Sequence, residues 1–324
     1  MPRYDEHDPE SYERPRRRTR PRTKERPSYD DAVPASVVTV DRGRYTCHLD
    51  DGTVVLAVKA RPLGRKGVVV GDRVGLVGDT SGTDDTLARV VTVEERSTVL
   101  RRTADDDDPV ERVIVANADQ LVIVTALADP EPRPRLIDRA LVAAFDAGMD
   151  PLLVMTKSDL AAPDALIDTY RPLGVAYEVT TRGADVGAIR QRLNGRRSVL
   201  LGHSGVGKST LVNALVPDAG RETGGVNAVT GRGRHTSTSA VLLPLPGGGW
   251  IVDTPGLRSF GLAHVDPDHL IGAFPDLHDL TLDCPRGCTH ASGEPECGLD
   301  AAPTDLVPRV ESFRRLLASR EGGS

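Results

Sequence analysis

Apolar and polar positions divide the chain into three patterned stretches behind a polar start. From about residue 33 to 97, short valine-rich runs recur at Ala35–Val40, Thr53–Lys59, Arg73–Val77 and Leu87–Val93. Turn signals separate them: Asp41-Arg42-Gly43, Asp50-Asp51-Gly52, Gly71-Asp72 and Ser81-Gly82. Short strands at this spacing predict a small β-barrel of the OB type. The run from Arg101 to Pro109 holds four consecutive aspartates and predicts an exposed linker. Beyond it the period changes. Val113–Ala116, Gln120–Thr125 and Pro151–Met155 are apolar, Arg135–Ala147 has helical spacing, and Arg171–Thr180 and Arg197–Leu201 resume the strand pattern. Apolar strands alternating with helical segments predict a parallel α/β sheet. A cysteine- and histidine-bearing stretch follows and closes on a helical run, Val307–Ser319. The expected organisation is an N-terminal arm (1–32), a barrel (33–100), an α/β domain (101–262) and a C-terminal domain (263–324).

Length and charge narrow the class. The 324 residues suffice for two or three separate cores. No run of eighteen apolar residues occurs, which excludes a membrane-spanning helix. The first thirty residues lack the apolar core of a secretory signal, so the expectation is a cytoplasmic protein without a membrane partner. A net charge of −6 excludes a uniformly basic surface but leaves room for local basic patches. One such patch is Arg14–Arg26, with eight basic residues, one acidic and nothing apolar. It reads as disordered, either as an arm for nucleic-acid phosphates or as a solvated terminus. In the barrel, Arg42, Arg44, Lys59, Arg61, Arg65 and Lys66 are either phosphate contacts or ordinary surface, and Tyr45 is the aromatic available for base stacking. Nothing in the sequence demands a dimer, and a monomer is expected.

The sharpest motif is Gly202-His203-Ser204-Gly205-Val206-Gly207-Lys208-Ser209, followed by Thr210. It matches the phosphate-binding loop and lies between the apolar run Ser198–Leu201 and the helical run Thr210–Val216, the context its mechanism needs. Its glycines let successive N–H groups turn towards phosphate oxygens. Lys208 would reach the β- and γ-phosphates, and Ser209 would ligate Mg²⁺. Asp253-Thr254-Pro255-Gly256 follows the apolar run Trp250–Val252, 45 residues after Lys208. Asp253 is placed to hold Mg²⁺ through water, and Gly256 to offer its N–H to the γ-phosphate. Thr156-Lys157-Ser158-Asp159 follows a strand and is similar to the guanine-reading N-K-x-D motif, with threonine in place of asparagine. Asp159 suits the paired N1 and N2 donors of guanine, and Lys157 can lay its stem along the base. The tetrapeptide also reads as a strand-to-helix cap. Thr180-Thr181-Arg182-Gly183 would back the base.

The order is unusual. The base motif precedes the phosphate loop, and Asp253 comes after both, so the chain is circularly permuted relative to ordinary GTPases. Permutation moves termini and loops while the packed sheet stays.

With these motifs in hand, the chain closely resembles the RsgA (YjeQ) family over about 33 to 320. The resemblance rests on the segments at 156–159, 202–210 and 253–256, on Gly231-Arg232-Gly233-Arg234-His235-Thr236-Ser237-Thr238, and on Ala116–Gln120 and Leu136–Arg139. It implies a multidomain α/β protein: an OB barrel, a circularly permuted P-loop GTPase domain and a zinc-binding helical domain. It implies hydrolysis of GTP to GDP with Mg²⁺, stimulated by the small ribosomal subunit late in its assembly, with rRNA contacts from the outer domains. A GTP-switched rRNA-binding module with incidental hydrolysis is the rival, and a P-loop kinase or ATPase is disfavoured by Asp159. Leu257 stands where Ras-like enzymes carry the water-positioning glutamine. The resemblance gives that role to His235, which otherwise reads as an exposed loop histidine; Thr236 is the expected switch hydroxyl that meets Mg²⁺, with Ser237 and Thr238 as alternatives.

Cys284-x₃-Cys288-x-His290-x₆-Cys297 reads as one closed, structural zinc site. The family pattern has one more residue in the first gap and one fewer in the second, so the loop must bend differently here. Cys47, alone in the barrel, reads as a small core residue.

Overall fold

The computed structural model describes residues 29–63, 67–102, 112–217, 240–254, 262 and 265–320. Five strands make the first unit: β1 (Val33–Asp41), β2 (Arg44–Leu49), β3 (Val54–Lys59), β4 (Arg73–Val77) and β5 (Ala88–Val93). β2 pairs with β1 and β3, β3 runs parallel to β5, and β4 joins β5 back to β1, closing the ring. Period-two alternation sends Ala35, Val37, Cys47, Val55, Ala57, Val74, Leu76, Ala88 and Val90 inward. These small side chains fill a narrow barrel, and the ring order is that of an OB-fold. β2 lay outside the apolar runs, yet it buries Tyr45, Cys47 and Leu49. Tyr45 therefore faces the core and is not available for base stacking. Burial pushes the Cys47 thiol up to about 12, as suits an inert core residue.

The expected linker at Arg101 begins inside a strand. β6 (Val99–Arg102) pairs antiparallel with β7 (Arg112–Ala116), because Leu100 and Val115 are apolar and buried. Then come β8 (Gln120–Ala126), α1 (Pro134–Asp146), β9 (Asp150–Thr156), α2 (Asp164–Tyr170), β10 (Ala176–Val179), α3 (Gly187–Leu193), β11 (Arg197–Leu201), α4 (Lys208–Leu215), β12 (Val241–Pro244) and β13 (Trp250–Asp253). The strand expected over Arg171–Thr180 is shorter: Arg171–Leu173 make a 3₁₀ turn that Gly174 ends in the left-handed region. The strand order is β10-β9-β8-β11-β13-β12, parallel except for β12. All seven residues of β8 are buried, as a strand covered on both faces requires. α3 and α4 pack one face. α1 packs the other, together with α5 (Pro267–Gly272), α6 (Pro275–Thr281) and α7 (Val307–Arg320).

The C-terminal helices thus share a core with the sheet. Phe274 sits edge-on between Phe145 of α1 and Phe313 of α7, at 4.9 and 5.5 Å. At the other end, Thr39 of β1 pairs with Val241 of β12 and stitches barrel to sheet. Asn117 makes a second junction. Its amide donates to Gly71 O at 3.0 Å, and its side-chain oxygen accepts from Ser97 N at 2.9 Å.

Candidate nucleotide site and thiol cluster

The parallel strands end along one edge, and their carboxyl ends carry the loops singled out in the sequence. β11 stops at Leu201 and α4 starts at Lys208, so Gly202–Gly207 must reverse the chain in six residues. A Cβ on Gly202 would lie 2.8 Å from Val124 O and 2.9 Å from a Val206 methyl, closer than any side chain tolerates. Gly207 has φ +88°, a region that glycine alone enters without strain. Val206, Leu211, Val212 and Leu215 are buried and anchor the loop and its helix. Ser204, Gly205 and Ser209 are exposed, while His203 and Thr210 are half-buried. His203 Nδ1 lies 3.0 Å from its neighbour's carbonyl, Ser204 O.

Register brings the carboxylate. β11 and β13 align Leu200 with Asp253, which sets Asp253 against the start of α4. Asp253 forms an ion pair with Lys208, and Lys208 also donates to Thr254 O at 3.4 Å. Thr254 Oγ1 donates to Leu200 O at 2.9 Å and fixes the turn after β13.

The tetrapeptide Thr156–Asp159, similar to the guanine-reading motif, starts at the last residue of β9, two strands away. Lys157 has φ +58° and donates to Asp129 O in the loop after β8. Ser158 N donates to Thr180 O at 3.3 Å. Thr181 Oγ1 donates to the Asp159 carboxylate, and this bond, with the Lys157 charge as a lesser cause, holds Asp159 below its ordinary range. Thr156 is buried, and its Oγ1 donates to Val206 O of the phosphate loop at 2.6 Å. The structure therefore brings 156–159, 180–181, 202–210 and 253–254 to one edge, at the crevice where α/β sheets bind ligands. Sequence reasoning did not single out Asp129 or the Thr181–Asp159 bond. Their signal was faint: polar residues two or three places after the strand ends.

Gly256, Leu257, the segment Gly231–Arg234, His235, Thr236, Ser237 and Thr238 lie outside the described residues, as do Arg65, Lys66 and Arg14–Arg26. Of the barrel cations, Arg42, Arg44 and Arg61 are exposed and Lys59 is half-buried.

Cys284, Cys288, His290 and Cys297 present ligand atoms within 4.8 Å of one another. His290 Nδ1 is 3.4 Å from Cys288 Sγ and 3.8 Å from Cys297 Sγ. Tetrahedral zinc with ordinary bond lengths sets ligand edges of about 3.5–3.8 Å, so the donor set and its spacing fit that ion. Gly287, between Cys284 and Cys288, and His290 itself have φ of +81° and +59°, which turn the chain back on itself within the cluster. The surroundings match a held ligand set. His290 Nε2 faces Asp268 at 3.8 Å, Gly298 N donates to Cys284 Sγ at 3.2 Å, and Arg314 of α7 donates to His290 O at 3.2 Å. Burial and the neighbouring thiols push Cys288 up to about 11.

Fold and site together define a circularly permuted P-loop nucleotide-binding protein, with an OB barrel before it and a thiol-rich cluster behind. The family model described as RsgA GTPase matches residues 93–263, and the chain belongs to that family. The small ribosomal subunit biogenesis GTPase RsgA of Ectopseudomonas mendocina is 45% identical over 216 residues, 63% of this chain and 62% of that protein. The protein of the same name from Pseudomonas putida F1 is 41% identical over 264 residues, 78% of this chain and 75% of the relative. The chain thus spans less than two thirds of the first of these relatives and three quarters of the second. The crystal structure of YjeQ from Thermotoga maritima superposes with a TM-score of 0.66 at 26% identity, covering 90% of this chain and 99% of that one. YloQ, described as a circularly permuted GTPase, shares the fold at a TM-score of 0.65 and 21% identity, covering 91% and 97%. Among the described residues no helix is long and apolar enough to cross a membrane.

Proposed function

We propose that this chain hydrolyses GTP to GDP and phosphate, stimulated by the small ribosomal subunit, and acts late in that subunit's assembly. The observation that carries the reading is the meeting of the two loops: Thr156 bonds the guanine-type motif to the phosphate loop at 2.6 Å. The named relatives act in the same setting. In this reading the N–H groups of Gly202 to Thr210 receive the phosphates, with Lys208 as their cation. Asp159 accepts from guanine N1 and N2, Lys157 covers the base, and Ser158 holds the loop on Thr180. Ser209 and Thr236 would hold Mg²⁺, with Asp253 behind them and Gly256 on the γ-phosphate. Bound Mg²⁺ supplies charge neutralisation for the transferred phosphoryl group. His235 orients the attacking water, since Leu257 offers no hydrogen bond.

The arm (1–32), the barrel (33–100), the GTPase unit (101–262) and the C-terminal unit (263–324) form a cytoplasmic monomer in this reading. One zinc ion on Cys284, Cys288, His290 and Cys297 supports the C-terminal fold, and rRNA is met by the barrel and that unit.

The test is the GTP turnover of purified protein, alone and with small ribosomal subunits, for wild type and His235→Ala. Strong stimulation that His235→Ala abolishes, with GTP binding intact, is the expected result. Stimulation that survives the substitution moves the water-positioning role elsewhere. The absence of stimulation, with GTP-dependent subunit binding, would favour a GTP-switched rRNA-binding module, the reading that Leu257 speaks for.

A further inference from the structure

Thr156 stands where guanine-reading motifs carry asparagine, and its hydroxyl has a single proton to give. That proton is directed at Val206 O, 2.6 Å away inside the phosphate loop, with Thr125 O of β8 at 3.3 Å as a second carbonyl. The acceptors on the purine's major-groove edge, O6 and N7, require a donor. A hydroxyl committed to backbone carbonyls has none left for them. The rest of the side chain lies beside the loop: a Cβ placed on Gly207 would be in ordinary van der Waals contact with Thr156 Oγ1 at 3.5 Å and with its Cβ and methyl at 3.7 Å. Thr156 is 6% exposed.

We infer that Thr156 is a positioning residue for the phosphates and makes no contact with the base. It ties the end of β9 to the carbonyl of Val206 and so fixes the direction of the neighbouring loop N–H groups. Discrimination for guanine then rests on Asp159, held by Thr181. This inference rests on the guanine-nucleotide reading above and deepens it.

The test measures affinities for GDP, 7-deaza-GDP (which lacks the N7 acceptor), ADP and inorganic tripolyphosphate, by displacement of a fluorescent GDP. Wild type, Thr156→Val and Thr156→Ser are compared. For Thr156→Val, GDP, 7-deaza-GDP and tripolyphosphate should all weaken by the same factor, about tenfold, because a buried carbonyl in the loop loses its donor. Thr156→Ser keeps the hydroxyl and should bind all three within about twofold of wild type. A thermal melt of each variant separates loop displacement from unfolding. Should Thr156→Val fail to fold, a serine variant that loses phosphate affinity would overturn the proposal on its own. The proposal also falls if wild type prefers GDP to 7-deaza-GDP and Thr156→Val erases that preference while tripolyphosphate binding stays unchanged. Equal binding of ADP and GDP by wild type would sink the guanine reading instead, and tripolyphosphate would still report on the tie.

Discussion

Lys208 and Asp253 are joined as an ion pair whose side chains are 13% and 5% exposed. The pair exists because the parallel register of β11 and β13 sets Asp253 opposite Leu200, at the foot of the phosphate loop. Breaking such a pair from either side leaves a charge in a poorly hydrated place, at a cost of about 3 kcal/mol or more. Lys208→Met and Asp253→Asn should each lower stability to urea by that order. The double variant should lose much less than the sum, as a double-mutant cycle reads out. Additive losses would show that the two charges are not coupled.

In the proposed reading Asp159 accepts from guanine, for which it must be ionised, and the Thr181 hydroxyl holds its carboxyl below the ordinary carboxylate range. A lowered value keeps the acceptor charged as pH falls, so affinity declines only when pH drops beneath that ordinary range. GDP affinity should therefore stay flat from neutral pH down to about 5. In Thr181→Val the decline should begin at a higher pH than in wild type. Asp159→Asn should lose GDP preference and gain xanthine nucleotide. A wild-type affinity that already falls between pH 7 and 6 would speak against Asp159 as the reader.

Asp138 and Arg315 pair at 3.2 Å between α1 and α7, and Arg315 lies over the Tyr170 ring at 5.3 Å. Burial raises the Asp138 carboxyl despite the guanidinium and the Tyr170 hydroxyl, which both pull it down. A raised carboxylate contributes stability at low pH that is lost as pH rises through its folded value. Arg315→Met strands the carboxylate and should cost about 3 kcal/mol at pH 7, and less at a lower pH such as 4, where a larger share of the raised carboxyl is protonated. Asp138→Asn removes the buried charge and should cost less, about 1 kcal/mol. Thermal melts at both pH values decide, and equal losses for the two variants at pH 7 would refute the asymmetry.

Asn117, with φ +56°, holds the barrel to the sheet through Gly71 and Ser97. Asn117→Ala removes three side-chain bonds from a strained position, to Ser97 N, Ser97 Oγ and Gly71 O, and should cost about 2 kcal/mol. Trp250 on β13 stacks edge-on against His48 of the barrel at 5.1 Å, and the chain has a single tryptophan. Its emission should change in Asn117→Ala, and amide exchange at Ser97 and Asn117 should quicken. Unchanged exchange there would show that the junction holds without the side chain.

Much of this was legible because local periodicity governs it. Ala35–Val40 and Gln120–Thr125 announce one strand with alternate faces and one buried throughout, and both occur within a residue or two of expectation. β2 was harder to read: Arg44, Thr46 and His48 dilute the apolar signal of Tyr45, Cys47 and Leu49. What stayed hidden depends on distant partners. The Phe145–Phe274–Phe313 stack makes the C-terminal helices part of the sheet's core, and no local pattern encodes a meeting across 168 residues. The same holds at the site. Glycine spacing marks the phosphate loop, but the Thr156 bond to Val206 arises only once β8 lies between β9 and β11.

The strand order carries a consequence for how the protein is made. β13 lies between β11 and β12, so the strand bearing Asp253 enters the sheet after its neighbours on both sides have emerged. The barrel ring needs nothing beyond Val93 to close. A chain leaving the synthetic machinery from its N-terminus can therefore complete the barrel first and acquire the guanine-type and phosphate loops next. The carboxylate comes last, and nascent chains that stop short of residue 253 carry both loops without their counter-charge. The permuted order thus delays the finished site until the sheet itself is whole.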